Sequence, residues 1–180
     1  MASAMKPSRS VTLDPARPLA ALTATARGMV ARSFAAAAHQ AFGELMAAVG
    51  QAGLLPQVRS CIALSPDEPQ GPDDPECRYV AGVLFGHDLF RGQGDCTRPD
   101  LPLSGSLAWM PVSPGRYVVF THIGPYDTLH RSWSAIYRDW LPFSGERPRQ
   151  TPALELCVTT PGTAPADQLH TEIWIPVHHR

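Results

Sequence analysis

"GRYVVFTHIGPYDTLHRSWSAIYRDWLPFSG" spans residues 115–145, and its period changes partway along. Up to Gly124 it is rich in β-branched and aromatic residues, which predicts a strand ending at a turn. After the turn Leu129, Trp133, Ile136, Tyr137 and Trp140 recur every three to four residues, the stripe of an amphipathic helix. Asp127 is placed to cap the start of that helix. Two further strands follow, "ALELCVT" (153–159) and "HTEIWIPV" (170–177), separated by the Pro/Gly loop "TPGTAPADQ".

The first half of the chain repeats this order. "RPLAALTATARG" (17–28) predicts a strand ending at glycine, and Val30, Phe34, Ala38, Ala41, Phe42, Leu45 and Val49 then form a helical stripe that stops at Gly50 and Gly53. "VRSCIALS" (58–65) and "CRYVAGVLF" (77–85) predict two strands around the turn-rich loop "PDEPQGPDDPE". Cys61 falls opposite Cys157 when the halves are laid on each other. The order of elements therefore predicts an α+β fold of two βαββ pseudo-repeats, with an antiparallel sheet, two main helices on one face and a concave groove. Residues 1–10 are expected to be a disordered tail and 11–180 a single domain. Within it, repeat one runs over about 11–85, a connection with the short strand "SLAWM" over 86–114, and repeat two over about 115–178.

Composition excludes several function classes. The formal net charge is −1 and Lys6 is the one lysine, so no basic stripe exists to grip phosphate, and direct nucleic-acid binding is not expected. Cys61, Cys77, Cys96 and Cys157 contain no CxxC pair, and free thiols are expected rather than a zinc site or a disulfide. No apolar run is long enough to span a membrane, because His39, Gln40 and Glu44 interrupt Ala35–Val49. A cytoplasmic protein without metal or cofactor is expected, and the sequence leaves its oligomeric state open.

With these elements in place, the second half resembles the GyrI-like small-molecule-binding domain, which also serves as the effector-binding part of AraC- and MerR-type regulators. The resemblance rests on "THIGPY", "WLPFSG", the glutamate in "ALELCV" and the closing "TEIWIPV". It implies a duplicated βαββ domain that binds lipophilic, often cationic or polyaromatic compounds in a groove between the repeats, usually over a buried carboxylate. It also implies alternatives: hydrolysis of electrophilic cyclopropanoid natural products, or a module that inhibits DNA gyrase. The chain reads as a stand-alone copy, with no room for a DNA-binding domain before residue 11.

Glu155 is the leading site residue. It interrupts an apolar strand and, by the period of two, lies on the opposite face from Leu154 and Leu156. If those leucines face the helices, Glu155 and Cys157 face the groove. A carboxylate there either attracts a cation or carries a raised pKa for proton transfer. The resemblance implies Tyr at the position of Cys157, and a thiol orients a ligand or water less well than a hydroxyl. Trp174, Tyr79, Tyr126, Trp133 and Tyr137 are the candidate aromatic walls, weighed against ordinary core or rim roles. In a hydrolase, Glu155 would be the catalytic carboxylate, with Tyr126 assisting. His122 reads as a hydrogen-bonded turn residue rather than a base.

Overall fold

The computed structural model describes residues 5–159 and 162–180. Among them the strands are β1 (Arg9–Leu13), β2 (Leu19–Met29), β3 (Val58–Leu64), β4 (Asp74–Phe85), β5 (Ala108–Val112), β6 (Gly115–Ile123), β7 (Leu154–Cys157) and β8 (His170–Pro176). Helix α1 spans Ala35–Gln51, and α2 spans Leu129–Ala135 and continues through a π-helical turn at Ile136–Trp140. The strands form one antiparallel sheet in the order β1-β6-β8-β7-β3-β4-β2-β5. This is the expected α+β fold: β2-α1-β3-β4 and β6-α2-β7-β8 are the two repeats, joined where β3 pairs with β7. Among the described residues, no helix is long and apolar enough to cross a membrane.

The outer strands are exchanged. β1 directly precedes β2 yet pairs with β6, while β5 directly precedes β6 yet pairs with β2. Each repeat therefore lends its leading strand to the other. Arg9 and Ser10, expected in a disordered tail, are the first residues of β1, and the Ser8 amide donates to the Val119 carbonyl. Their backbone polar groups satisfy the free edge of β6, which is why so polar a segment is ordered.

Residues directly opposite in an antiparallel sheet share a face, so the register sorts every side chain. One row runs Ala24, Ala81, Ala63, Glu155, Ile173, Phe120, and the next runs Leu22, Val83, Cys61, Cys157, Thr171, His122. Both helices lie over this face. The α1 residues Ala37, Ala41, Leu45 and Val49 cluster with Leu22, Ala81 and Val83, whereas Leu129 and Ile136 of the second helix cluster with Phe120 and Ile173. The α1 contact stripe is thus one residue displaced at Ala37 from the expected Ala38, and Val30 is exposed.

The opposite, inner face is filled. Leu154, Leu156, Ile62, Tyr117, Val119 and Trp174 pack there with Leu89 and Phe90 of the long connection. Leu154 and Leu156 therefore face away from the helices, contrary to the sequence expectation. Gly82 leaves this face without room for a side chain, since an added Cβ would lie 3.0 Å from Ile62 Cγ1 and 3.3 Å from Ala21 Cβ. On this face Glu172, 2% exposed, accepts hydrogen bonds from Arg9 Nη2 (2.7 Å), Arg9 Nε (3.1 Å) and Trp174 Nε1 (3.2 Å). The Arg9 guanidinium lies over the Phe90 and Trp174 rings at 5.3 and 5.4 Å, so β1 is anchored by charge and by cation–π contact.

Candidate functional site

The two helices sit over the outer parts of one face, and between them the floor is β3 and β7. Its side chains are Cys61 and Ala63 from one repeat and Cys157 and Glu155 from the other, paired Cys61 with Cys157 and Ala63 with Glu155. Small residues here leave Glu155 as the chemically distinct group. Its Oε1 accepts a 3.0 Å hydrogen bond from Trp133 Nε1, which reaches down from α2. Burial pushes the Glu155 carboxyl up to about 7, and the Trp133 hydrogen bond to the anion opposes that rise.

The aromatic residues divide by element. Trp133 and Tyr137, one helical turn apart, hold their rings nearly parallel at 8° with centroids 6.0 Å apart. Tyr137 is 46% exposed, so this pair makes a wall whose outer edge meets solvent. Trp140 instead packs edge-on to Phe120 at 4.8 Å and belongs to the core. Tyr79 stands across from them on β4, in contact with Phe34 (5.6 Å) and Phe42 (6.3 Å) on the α1 side. Desolvation, then the charge of Glu155, holds its phenol protonated far above the usual range. Tyr126 reaches in from the turn before α2. Its hydroxyl donates to the Thr159 carbonyl at 3.5 Å. Its phenol is likewise pushed up, first by burial and then by Cys157. Burial is the main cause pushing the Cys157 thiol up to about 12, with Cys61 and Glu155 adding to it.

The turn that carries Tyr126 is held by His122. Its Nδ1 pairs with Ser132 Oγ at 2.7 Å and its Nε2 with Thr128 Oγ1 at 3.1 Å, while the Thr128 hydroxyl donates to the Pro125 carbonyl at 2.8 Å. Both ring nitrogens are engaged, so His122 is a staple between turn and helix. Asp127 lies within the 3-10 turn Tyr126–Thr128 and caps nothing, since neither that turn nor α2 has a side-chain cap.

The structure thus brings together Glu155, Cys157, Trp133, Tyr137, Tyr79 and Tyr126. It does not bring Trp174 to them. Trp174 pairs with Leu154 and is fully buried on the inner face, because the strand face carrying Glu155 is the helix-bearing one. Arg59 bonds the carbonyls of Pro56 and Val58, and Arg78 is paired with Asp67, so neither meets the groove carboxylate. Phe34, Phe42 and Cys61 join the site without having been singled out for it. The fall of Cys61 opposite Cys157 in the repeat was the signal for the last of these. Two open clefts lie elsewhere: one of about 520 Å³ beside Glu146 and His178, the other of about 470 Å³ beside Arg27 and Gln40.

Residues 11–178 match the family described as the GyrI-like small molecule binding domain. A 63-residue stretch is 33% identical to "Probable transcriptional regulator YgiV" of Escherichia coli (strain K12); it covers 35% of this chain and 39% of that protein. The chain thus spans about two fifths of the curated relative it matches. The EcmrR C-terminal domain superposes with a TM-score of 0.61 at 14% identity, over 96% of each chain. A hydrolase encoded by lin2189 from Listeria innocua gives 0.55 at 10% identity, over 97% of this chain and 93% of that one. SAV2435 bound to tetraphenylphosphonium gives 0.50 at 14% identity, over 94% and 92% respectively. At such identities these structures show a shared fold. With the family match running through both repeats, from β1 to the end of β8, the chain belongs to the GyrI-like small-molecule-binding domain family.

Proposed function

We propose that this chain binds lipophilic aromatic compounds, cations above all, between α1 and α2 and over Glu155. The observation that carries the reading is a carboxylate set among Ala63, Ile173 and Cys157, with an indole as its hydrogen-bond donor and aromatic rings on both sides. Burial holds the Glu155 carboxyl up at about 7, so ionising it at neutral pH costs on the order of 1 kcal/mol. A cation about 4 Å away returns roughly 4 kcal/mol at an effective dielectric of about 20. Ring faces add stacking and cation–π attraction. The likeness to SAV2435, described with tetraphenylphosphonium bound, supports this class of ligand. The likeness to EcmrR and to YgiV supports a sensory use of the bound state.

Trp133 is bonded to the carboxylate and stacked on Tyr137, so a ligand that reaches Glu155 displaces the indole from it. Tetraphenylphosphonium added to the protein is therefore expected to raise the melting temperature and change tryptophan emission together. A panel of such cations that leaves both unchanged contradicts the reading.

One observation favours a second reading, hydrolysis of an electrophilic strained ring. A carboxyl that titrates near 7 is suited to move a proton at neutral pH, and Tyr126 stands beside it. The Cys157 thiol, held protonated, is a poor nucleophile. Product analysis with a cyclopropanoid substrate decides it: turnover lost in Glu155→Gln with affinity kept supports hydrolysis, and no turnover in the wild type rejects it.

A further inference from the structure

The pseudo-twofold axis of the fold passes between β3 and β7, and it places the same residue type from each repeat side by side. Cys61 and Cys157 are directly opposed in the register and share the helix-bearing face. Opposed antiparallel residues have Cα atoms about 4.5 or 5.5 Å apart, within the roughly 4.4–6.8 Å that a single disulfide spans. Both thiols are free and partly buried. Cys77 lies outside this pair, buried near Ser65 and Asp67, and Cys96 packs on the inner face against the Ala20 carbonyl.

We propose that Cys61 and Cys157 are a dithiol site for a trivalent arylarsenical, with arsenic bridging the two sulfurs and the aryl group lying against Trp133 and Tyr79. The site rests on the reading of the groove as a lipophilic pocket. In the capture step an aryl arsenic dihydroxide loses both hydroxyls. Two As–O bonds break, two As–S bonds form, and each thiol proton leaves with a hydroxyl as water. Arsenic stays trivalent, so no oxidant or reductant enters. Burial raises both thiol pKa values and so slows capture, while the condensation carries each proton away in the product water.

The test is intact mass under native conditions after incubation with phenylarsine oxide in oxygen-free buffer. The wild type is expected to gain one aryl arsenic dihydroxide less two waters, in an adduct that resists a monothiol and is released by a dithiol. Cys61→Ser and Cys157→Ser should each lose the monothiol-resistant adduct, and Cys77→Ser and Cys96→Ser should keep it. Alanine variants at positions 61 and 157, each checked for a cooperative melt, guard against misfolding. A resistant adduct in either single variant, or none in the wild type, overturns the site. Calorimetry with tetraphenylphosphonium on the same samples separates the two readings. Phosphonium binding without an adduct removes the dithiol site alone, whereas an adduct without phosphonium binding removes the lipophilic reading and leaves the dithiol.

Discussion

Trp133 Nε1 donates a 3.0 Å hydrogen bond to Glu155 Oε1, linking the helix of the second repeat to the one carboxylate of the β3–β7 floor. That bond favours the charged form of a group whose burial favours the neutral form. Removing the donor should leave burial unopposed. In Trp133→Phe the Glu155 midpoint, read from the pH dependence of cation affinity, is expected to rise by up to about one unit. A midpoint that stays or falls would show that Trp133 does not tune the carboxyl.

The same raised pKa has a sign in stability. Between the ordinary carboxyl value of 4.5 and about 7, the unfolded chain releases the Glu155 proton and the folded chain keeps it. The folded state then binds more protons, so stability attributable to this group falls as pH rises through that window. Glu155→Gln removes the dependence. Urea unfolding is expected to find the variant close to wild type at pH 4 and more stable at pH 8, by up to about 3 kcal/mol. Equal stability differences at both pH values would contradict the burial of the carboxyl.

Trp174 is a residue of the inner core, packed edge-on to Tyr117 at 5.5 Å and bonded to Glu172. Trp174→Phe should therefore lower stability by about 1–3 kcal/mol, through lost volume and a lost hydrogen bond. Its affinity for groove ligands should match the wild type. Calorimetry on the folded variant checks this, and a large affinity loss would return Trp174 to the pocket.

Arg9 anchors the exchanged strand β1 through Glu172. Arg9→Ala leaves a carboxylate buried without its cation, and is expected to cost about 3 kcal/mol, the low end for such pairs because Arg9 is 31% exposed. Adding Glu172→Gln should recover part of that loss. Hydrogen exchange at the β6 edge should speed up in Arg9→Ala, and an unchanged edge would show that β1 is held by its backbone alone.

Much of this architecture was legible in the sequence because it is written in periods. The alternation before Gly124 and the stripe from Leu129 to Trp140 gave strand and helix, and the recurrence of that order in the first half gave the duplicated fold. The alternation in "ALELCV" also separated Glu155 and Cys157 from the leucines. It did not say which face carried the helices. Both faces of this sheet are covered by apolar groups, so Leu154 and Leu156 fit either side; Ile173 and Ile175 do pack under the helices, but the groove with Glu155 lies on that same face, which leaves Trp174 on the other. β1 was missed because an edge strand needs one partner and little hydrophobicity, and the exchange of β1 and β5 is set by tertiary pairing that no local pattern encodes. The gathering of Phe34, Phe42 and Tyr79 into one wall is likewise a product of packing between elements distant in sequence.

In the proposed function Glu155 recognises positive charge in a lipophilic groove. The most direct test is calorimetric affinity for tetraphenylphosphonium and for a neutral polyphenyl compound of the same outline, on wild type and Glu155→Gln, from pH 6 to 8. Cation affinity in the wild type is predicted to rise with pH as the carboxyl ionises around 7, and to fall about a hundredfold in Glu155→Gln at pH 8, while the neutral compound changes little. Equal losses for both compounds, or cation affinity flat across that range, would contradict it.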